Sequence, residues 1–134
     1  MPSDSWEPSE ATLEFVETAL RNHSRVTELT TRTSQVFEVT TMGRKNPLVV
    51  LVVDLYTVGQ ADVVKAMDAV EDLNVLVTAS TYNGYTKAAK NYATQNRIGL
   101  FQISEFLGAL WKKRAMWSYV KHDKDGKPVT HFHG

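Results

Sequence analysis

No cysteine occurs in the chain of 134 residues, which excludes disulfides and thiolate metal sites and suits a reducing, cytoplasmic setting. Long hydrophobic runs are missing as well. The longest, Leu48 to Val53, falls far short of the roughly 20 apolar residues that a membrane-spanning helix needs. The opening residues, Met1 to Glu7, contain no basic segment followed by an apolar one, so neither secretion, membrane insertion nor a membrane partner is expected. Gly-rich phosphate loops, nucleophile elbows and zinc-binding helix motifs are absent, and with them the commonest signatures of nucleotide-binding proteins, serine hydrolases and zinc proteases. No internal repeat, low-complexity tract or flexible linker divides the chain, so residues 1–134 are expected to form one domain.

Excess charge of either sign is also lacking, since 15 Lys and Arg balance 15 Asp and Glu. The molecule as a whole therefore has no long-range attraction for a polyanion. The distribution is uneven. Up to Asp72 there are six basic and twelve acidic residues, and from Leu73 onward nine and three. A basic second half can supply a local phosphate-binding surface, or it can dock on the acidic half of a second copy.

What is present is a strong periodic pattern. Ser9 can cap a helix running to about Asn22, with Leu13, Val16, Ala19 and Leu20 on one side and Glu10, Glu14 and Glu17 loading its early and outer faces. Residues 25–30 and 35–41 alternate apolar and polar types rich in β-branching, which predicts a hairpin turning at Thr31 to Ser34. Gly43, Asn46 and Pro47 mark the next turn. The run from Leu48 to Tyr56 then predicts a central strand covered on both faces. Gln60 to Asp72 predicts an amphipathic helix, Asn74 to Ser80 a buried strand, and Thr86 the cap of a helix to about Asn96. A short strand, Ile98 to Phe101, precedes a helix that Ser104 would cap, ending near Trp111. Trp117 to Lys121 and Val129 to Phe132 flank a turn containing Asp125 and Gly126, which predicts a C-terminal β-hairpin as an appended tail. The class is α/β, with a mixed sheet between helices.

Helix, three strands, helix, strand, helix, short strand and helix is the element order of the PD-(D/E)XK nucleases. The segment from Asp54 to Trp111 sharpens the likeness. There a strand ending in Tyr56 is followed by Val58-Gly59-Gln60-Ala61-Asp62-Val63, by Leu76-Val77-Thr78-Ala79-Ser80, and by Gly84-Tyr85-Thr86 with Ala88, Ala89, Tyr92 and Ala93. Phe106, Leu107 and Leu110 close the pattern, and Leu13-Glu14-Phe15 and Leu20 fit an opening helix. In these features the chain resembles the Mrr-type branch of the restriction-endonuclease-like superfamily over residues 9–112, leaving 113–134 as a tail outside the likeness. In their own right, Gly84 is expected to supply backbone freedom where the chain leaves its strand, and the alanines to permit close helix-on-sheet packing.

The resemblance implies a nuclease site with an acid on one strand and, on the next, a Gln or Glu and a Lys separated by one residue. Carboxylates would hold Mg²⁺ and the amine would steady developing phosphate charge. This chain departs from that pattern. If Tyr56 matches the aromatic residue that follows the family's lysine, Asp54 stands at the lysine position and Val52 at the Gln or Glu position; if Asp54 is the acid, Tyr56 replaces the lysine. The strand then has no lysine on either alignment. Glu38 and Asp54 remain candidates to meet around one metal, with Glu14 as a further acid and Lys65 as a replacement amine; Asp54 pairing with an Arg or capping the next helix is the plain structural alternative. A helix-face role for Lys65 is the simpler one. Without the amine no cofactor is expected, and Mg²⁺ only if catalysis survives.

Lys87, Lys90 and Arg97, with Lys112, Lys113 and Arg114 beside Trp111 and Trp117, are candidate nucleic-acid contacts, a solvated helix end being the bland alternative. His131 and His133, with His122 nearby, have a spacing that can chelate a metal but no carboxylate or cysteine framework, and fit a polar tail. The functional expectation is a restriction-endonuclease-like domain without catalysis that binds nucleic acid or assembles with itself or a larger nuclease partner. The alternatives are a Mg²⁺-dependent DNA or RNA endonuclease and a self-associating accessory protein.

Overall fold

The computed structural model describes residues 6–112 and 115–133. In chain order the elements are α1 (Glu10–Arg21), β1 (Val26–Thr31), β2 (Val36–Thr41), β3 (Leu48–Val53), β4 (Thr57–Val58), α2 (Gln60–Ala69), β5 (Val75–Thr78), β6 (Gly84–Tyr85), α3 (Lys87–Gln95), β7 (Gly99–Gln102), α4 (Ile103–Ala109), β8 (Lys121–His122) and β9 (Pro128–Val129), with a 3-10 turn at Met116–Ser118. Five strands form one mixed sheet in the order β1-β2-β3-β5-β7. β1, β2 and β3 are antiparallel in succession, and β3, β5 and β7 are parallel.

Strand alternation splits the core in two. Phe37, Val39, Val50, Val52, Val75, Val77 and Phe101 face one side, where Val16 and Leu20 of α1 and Phe106 and Ala109 of α4 cover them. Val36, Val49, Leu51, Val53, Leu76 and Leu100 face the other, under Val63 and Ala66 of α2 and Ala89 and Ala93 of α3. Helices on both faces explain why β3 is apolar throughout and β5 is buried along its whole length, since neither side of these strands meets water. Ser9 and Thr86 cap α1 and α3 through their side-chain oxygens, as expected.

Several boundaries differ from expectation for identifiable reasons. The third strand stops at Val53, because the Thr78 hydroxyl accepts the Leu55 N–H and donates to the Leu55 carbonyl, taking that peptide out of the ladder. Gln102 replaces Ser104 as the cap of α4: its side-chain oxygen accepts the Ser104 N–H, and Glu105 reaches back to the Gln102 N–H. The C-terminal ribbon is shorter than expected, with only Lys121–His122 and Pro128–Val129 paired and Trp117 in the 3-10 turn.

Nor is the tail merely appended. The Tyr85 N–H donates to the His131 carbonyl and the His133 N–H to the Tyr85 carbonyl, so the last residues extend the small parallel β4-β6 sheet. This contact gives Gly84 a role other than the expected backbone freedom. Its φ is not in the left-handed region; instead, a Cβ there would lie 2.0 Å from the His131 carbonyl oxygen. Glycine is needed for close approach.

Candidate functional site

Asp54 follows the last residue of β3, and the chain after β5 returns to it. Its Oδ1 accepts from the Ser80 hydroxyl at 2.9 Å and from the Asn83 amide at 2.7 Å, while Asn83 also donates to Thr78 Oγ1 at 3.0 Å. The arrangement ties the turn after β3 to the turn after β5. The carboxylate is satisfied by neutral donors, and no ion pair joins it to any Lys or Arg among the described residues. It neither pairs with an Arg nor caps α2, whose N-cap amide, the Gly59 N–H, donates instead to Asp62 Oδ2 at 2.9 Å.

Glu38 lies elsewhere. It pairs across the ladder with Val49, five positions before Asp54, a span of roughly 16 Å along the strand. Its side chain follows Val36 to the α2 side of the sheet, where Arg32 donates to it at 2.9 and 3.1 Å and to Asp72 at 2.8 and 3.0 Å. Hydrogen bonds from Arg32 hold the Asp72 carboxyl below its ordinary range, and the same bonds, Asp72 first, raise the guanidinium. The expected meeting of Glu38 and Asp54 around one metal is therefore not made: strand register sets them far apart, and Arg32 occupies one of them. Among the described residues no group of three His, Asp or Glu side chains is placed to hold a metal ion.

Glu14 is exposed on α1, and Lys65 is exposed on α2 with its Nζ 4.2 Å from the centre of the Trp6 ring. The expected basic surface also divides. Lys87 and Arg97 are exposed, stacked over Phe132 and Trp117 at 5.7 and 6.0 Å, and Lys112 is exposed beside the exposed Trp111. Lys113 and Arg114 lie outside the described residues. Lys90 is not a surface contact: its Nζ turns inward to the Leu100 carbonyl and stands 4.3 and 5.0 Å from the ring centres of Phe101 and Tyr85.

The inward turn of Lys90 opens onto a cluster that the sequence pattern did not mark. Glu105, only 2% exposed, accepts the Tyr85 hydroxyl at 2.8 Å on both carboxylate oxygens. Beside them a cavity of about 240 Å³ is walled by Tyr85, Lys90, Glu105, Trp117, Val120 and Phe132. Burial, opposed by Glu105, lowers the Lys90 ammonium to about 8, and burial followed by the Glu105 charge raises the Tyr85 phenol. Glu105, at the third position of α4, also serves as a capping residue by accepting the Gln102 N–H. Only the docking of the tail over α3 and α4 encloses the group.

Among the described residues no helix is long and apolar enough to cross a membrane. Compared with known proteins, the chain matches no family model, no curated protein and no solved structure.

Proposed function

We propose that the chain is a restriction-endonuclease-like domain without nuclease catalysis, which serves as a nucleic-acid-binding or assembly module through its basic second half. The helix and strand order, the mixed five-stranded sheet and the helices on both faces support the scaffold reading. The observation that carries the loss of catalysis is the separation of Glu38 from Asp54, Glu38 held by Arg32 and Asp54 by Ser80 and Asn83, with no lysine bonded to either among the described residues. Phosphodiester hydrolysis needs metal-holding carboxylates and charge stabilisation in one place. Lys87, Arg97 and Lys112 remain as exposed cations near the aromatic rings of Phe132, Trp117 and Trp111, a combination that suits phosphate contact with base stacking.

The test pairs cleavage with binding. Duplex and single-stranded DNA and RNA are incubated with the protein in Mg²⁺ or Mn²⁺, and anisotropy is followed against salt. The expected result is no metal-dependent cleavage and an affinity that falls with salt, its slope reduced by about one for each exposed cation replaced by alanine. Cleavage abolished by Asp54→Ala would instead establish a metal-dependent nuclease. The uneven charge favours self-association as a second reading, with β1 as an edge strand open to pairing. Sedimentation at low and high salt separates that reading, because a charge-driven dimer dissociates as salt screens it.

A further inference from the structure

Between α3, α4 and the C-terminal segment, the cavity at Lys90 combines an apolar wall with one buried amine. Trp117, Val120, Phe132 and Tyr85 supply the wall. An engineered apolar cavity of roughly 150 Å³ accommodates one benzene ring, so about 240 Å³ has room for a single ring with a short substituent. The two charged members differ in how fully they are satisfied. Glu105 accepts from Tyr85 and from the Gln102 N–H, whereas Lys90, with three N–H bonds when protonated, has one hydrogen-bond acceptor among the described residues, the Leu100 carbonyl. Its remaining hydrogens meet the ring faces of Phe101 and Tyr85 and the cavity. A lysine held this way in an apolar pocket costs the fold stability that an apolar residue would not, and it places a nucleophilic nitrogen at the wall of a space lined by aromatic and aliphatic side chains.

We propose that this cavity is a binding site for a small aromatic aldehyde or ketone, which Lys90 captures reversibly as an imine. The neutral amine forms a bond from nitrogen to the carbonyl carbon as the carbonyl π pair moves to oxygen. The oxygen takes up the proton released from nitrogen to give a neutral carbinolamine. The proton that the ammonium first gave up to solvent returns to that hydroxyl, which leaves as water as the carbon–nitrogen double bond forms, giving the protonated imine. Lysine ammonium and carbonyl compound thus give iminium and water, with no oxidant or reductant. The iminium keeps one N–H, which continues to donate to the Leu100 carbonyl, and the Glu105 carboxylate remains beside the retained positive charge. The groups facing Lys90 are Glu105 from α4, Tyr85 from β6 and Phe101 from β7. Desolvation of the amine supports the chemistry, because with the ammonium lowered to about 8 a useful neutral fraction exists near neutral pH.

The experiment treats the full chain with benzaldehyde and cyanoborohydride, which reduces any imine to a stable benzylamine, and maps the modified lysines by peptide mass spectrometry. Exposed lysines such as Lys45, Lys87 and Lys124 are internal references. Lys90 is expected to be benzylated about tenfold faster than these despite its inward position. Val120→Trp and Thr130→Trp fill the cavity from two walls without altering Lys90. Whichever variant retains the wild-type circular dichroism spectrum is expected to lose the preferential labelling. Modification that follows exposure, with Lys90 among the slowest, overturns the proposal. So does preferential labelling that survives a folded cavity-filling variant, since the cavity would then play no part.

Discussion

The Tyr85 hydroxyl stands 2.8 Å from both carboxylate oxygens of Glu105, joining the small β4-β6 sheet to α4 across the edge of the main sheet. Both groups are buried, so removing either leaves the other short of a partner. Tyr85→Phe and Glu105→Gln are each expected to cost about 1–3 kcal/mol in urea denaturation, and the double variant less than their sum. Additive losses would show that the two side chains are not energetically coupled.

Lys90 gives the pH dependence its sign. Burial lowers its ammonium to about 8 from an ordinary value of 10.5, with Glu105 pulling the other way. The folded chain therefore holds this proton less tightly than the unfolded chain, and stability rises with pH through the window between those two values. Above about pH 10 the raised Tyr85 phenol opposes the rise, because the unfolded chain then loses a phenolic proton that the folded chain keeps. Discounted for the partly exposed lysine stem, the gain between about pH 7.5 and pH 9.5 is expected to be about 1–2 kcal/mol. Lys90→Met should flatten that rise in urea midpoints, and an equally steep rise in the variant would assign the effect to other groups.

Gly84→Ala should be more disruptive than its size suggests. A methyl group 2.0 Å from the His131 carbonyl oxygen and 2.8 Å from His133 Nε2 cannot be accommodated without moving residues 131–133 away. The expected loss is about 2–4 kcal/mol, with limited proteolysis cutting first within residues 115–133. Gly43→Ala is the informative contrast: its strain comes from a φ of 83°, with no atom within 4 Å to clash, so the tail should stay protected.

Asn83 is 5% exposed and donates to both Asp54 and Thr78, fastening the turns after β3 and β5. Asn83→Ala should therefore lower stability by about 1–3 kcal/mol, measured by thermal or urea unfolding. Asn83→Asp should be worse at neutral pH than in mild acid, because it sets a second carboxylate against Asp54. Equal stability of this variant at both pH values would remove Asp54 from the role of structural fastener.

Most of the secondary structure was legible because it depends on neighbours in sequence. Ser9 and Thr86 cap helices with their own side chains, and Leu48 to Val53 is apolar throughout because both faces of its strand are covered. Apart from the cap of α4, which is a local matter of Gln102 and Glu105, two departures trace to a contact made by a residue far along the chain. Thr78 ends the third strand by bonding the Leu55 peptide, and His131 turns Gly84 from a flexible joint into a point of close approach. The candidate sites were less legible still. Glu38 and Asp54 are suitable in type, but their distance depends on strand register, and Arg32 had no visible claim on Glu38 from its place in a turn.

By itself the sequence determined the alternation of strands and helices, the absence of disulfides, and the lack of a lysine on the third strand. These are properties of residue type and short-range spacing, fixed before any two distant segments meet. Tertiary structure decided which charges leave the surface. Lys90 belongs by spacing to a polar helix face, yet the Leu100 carbonyl, the Tyr85 and Phe101 rings and the overlying tail draw it inward, because an exchange of water for other partners depends on what the rest of the chain places around the amine.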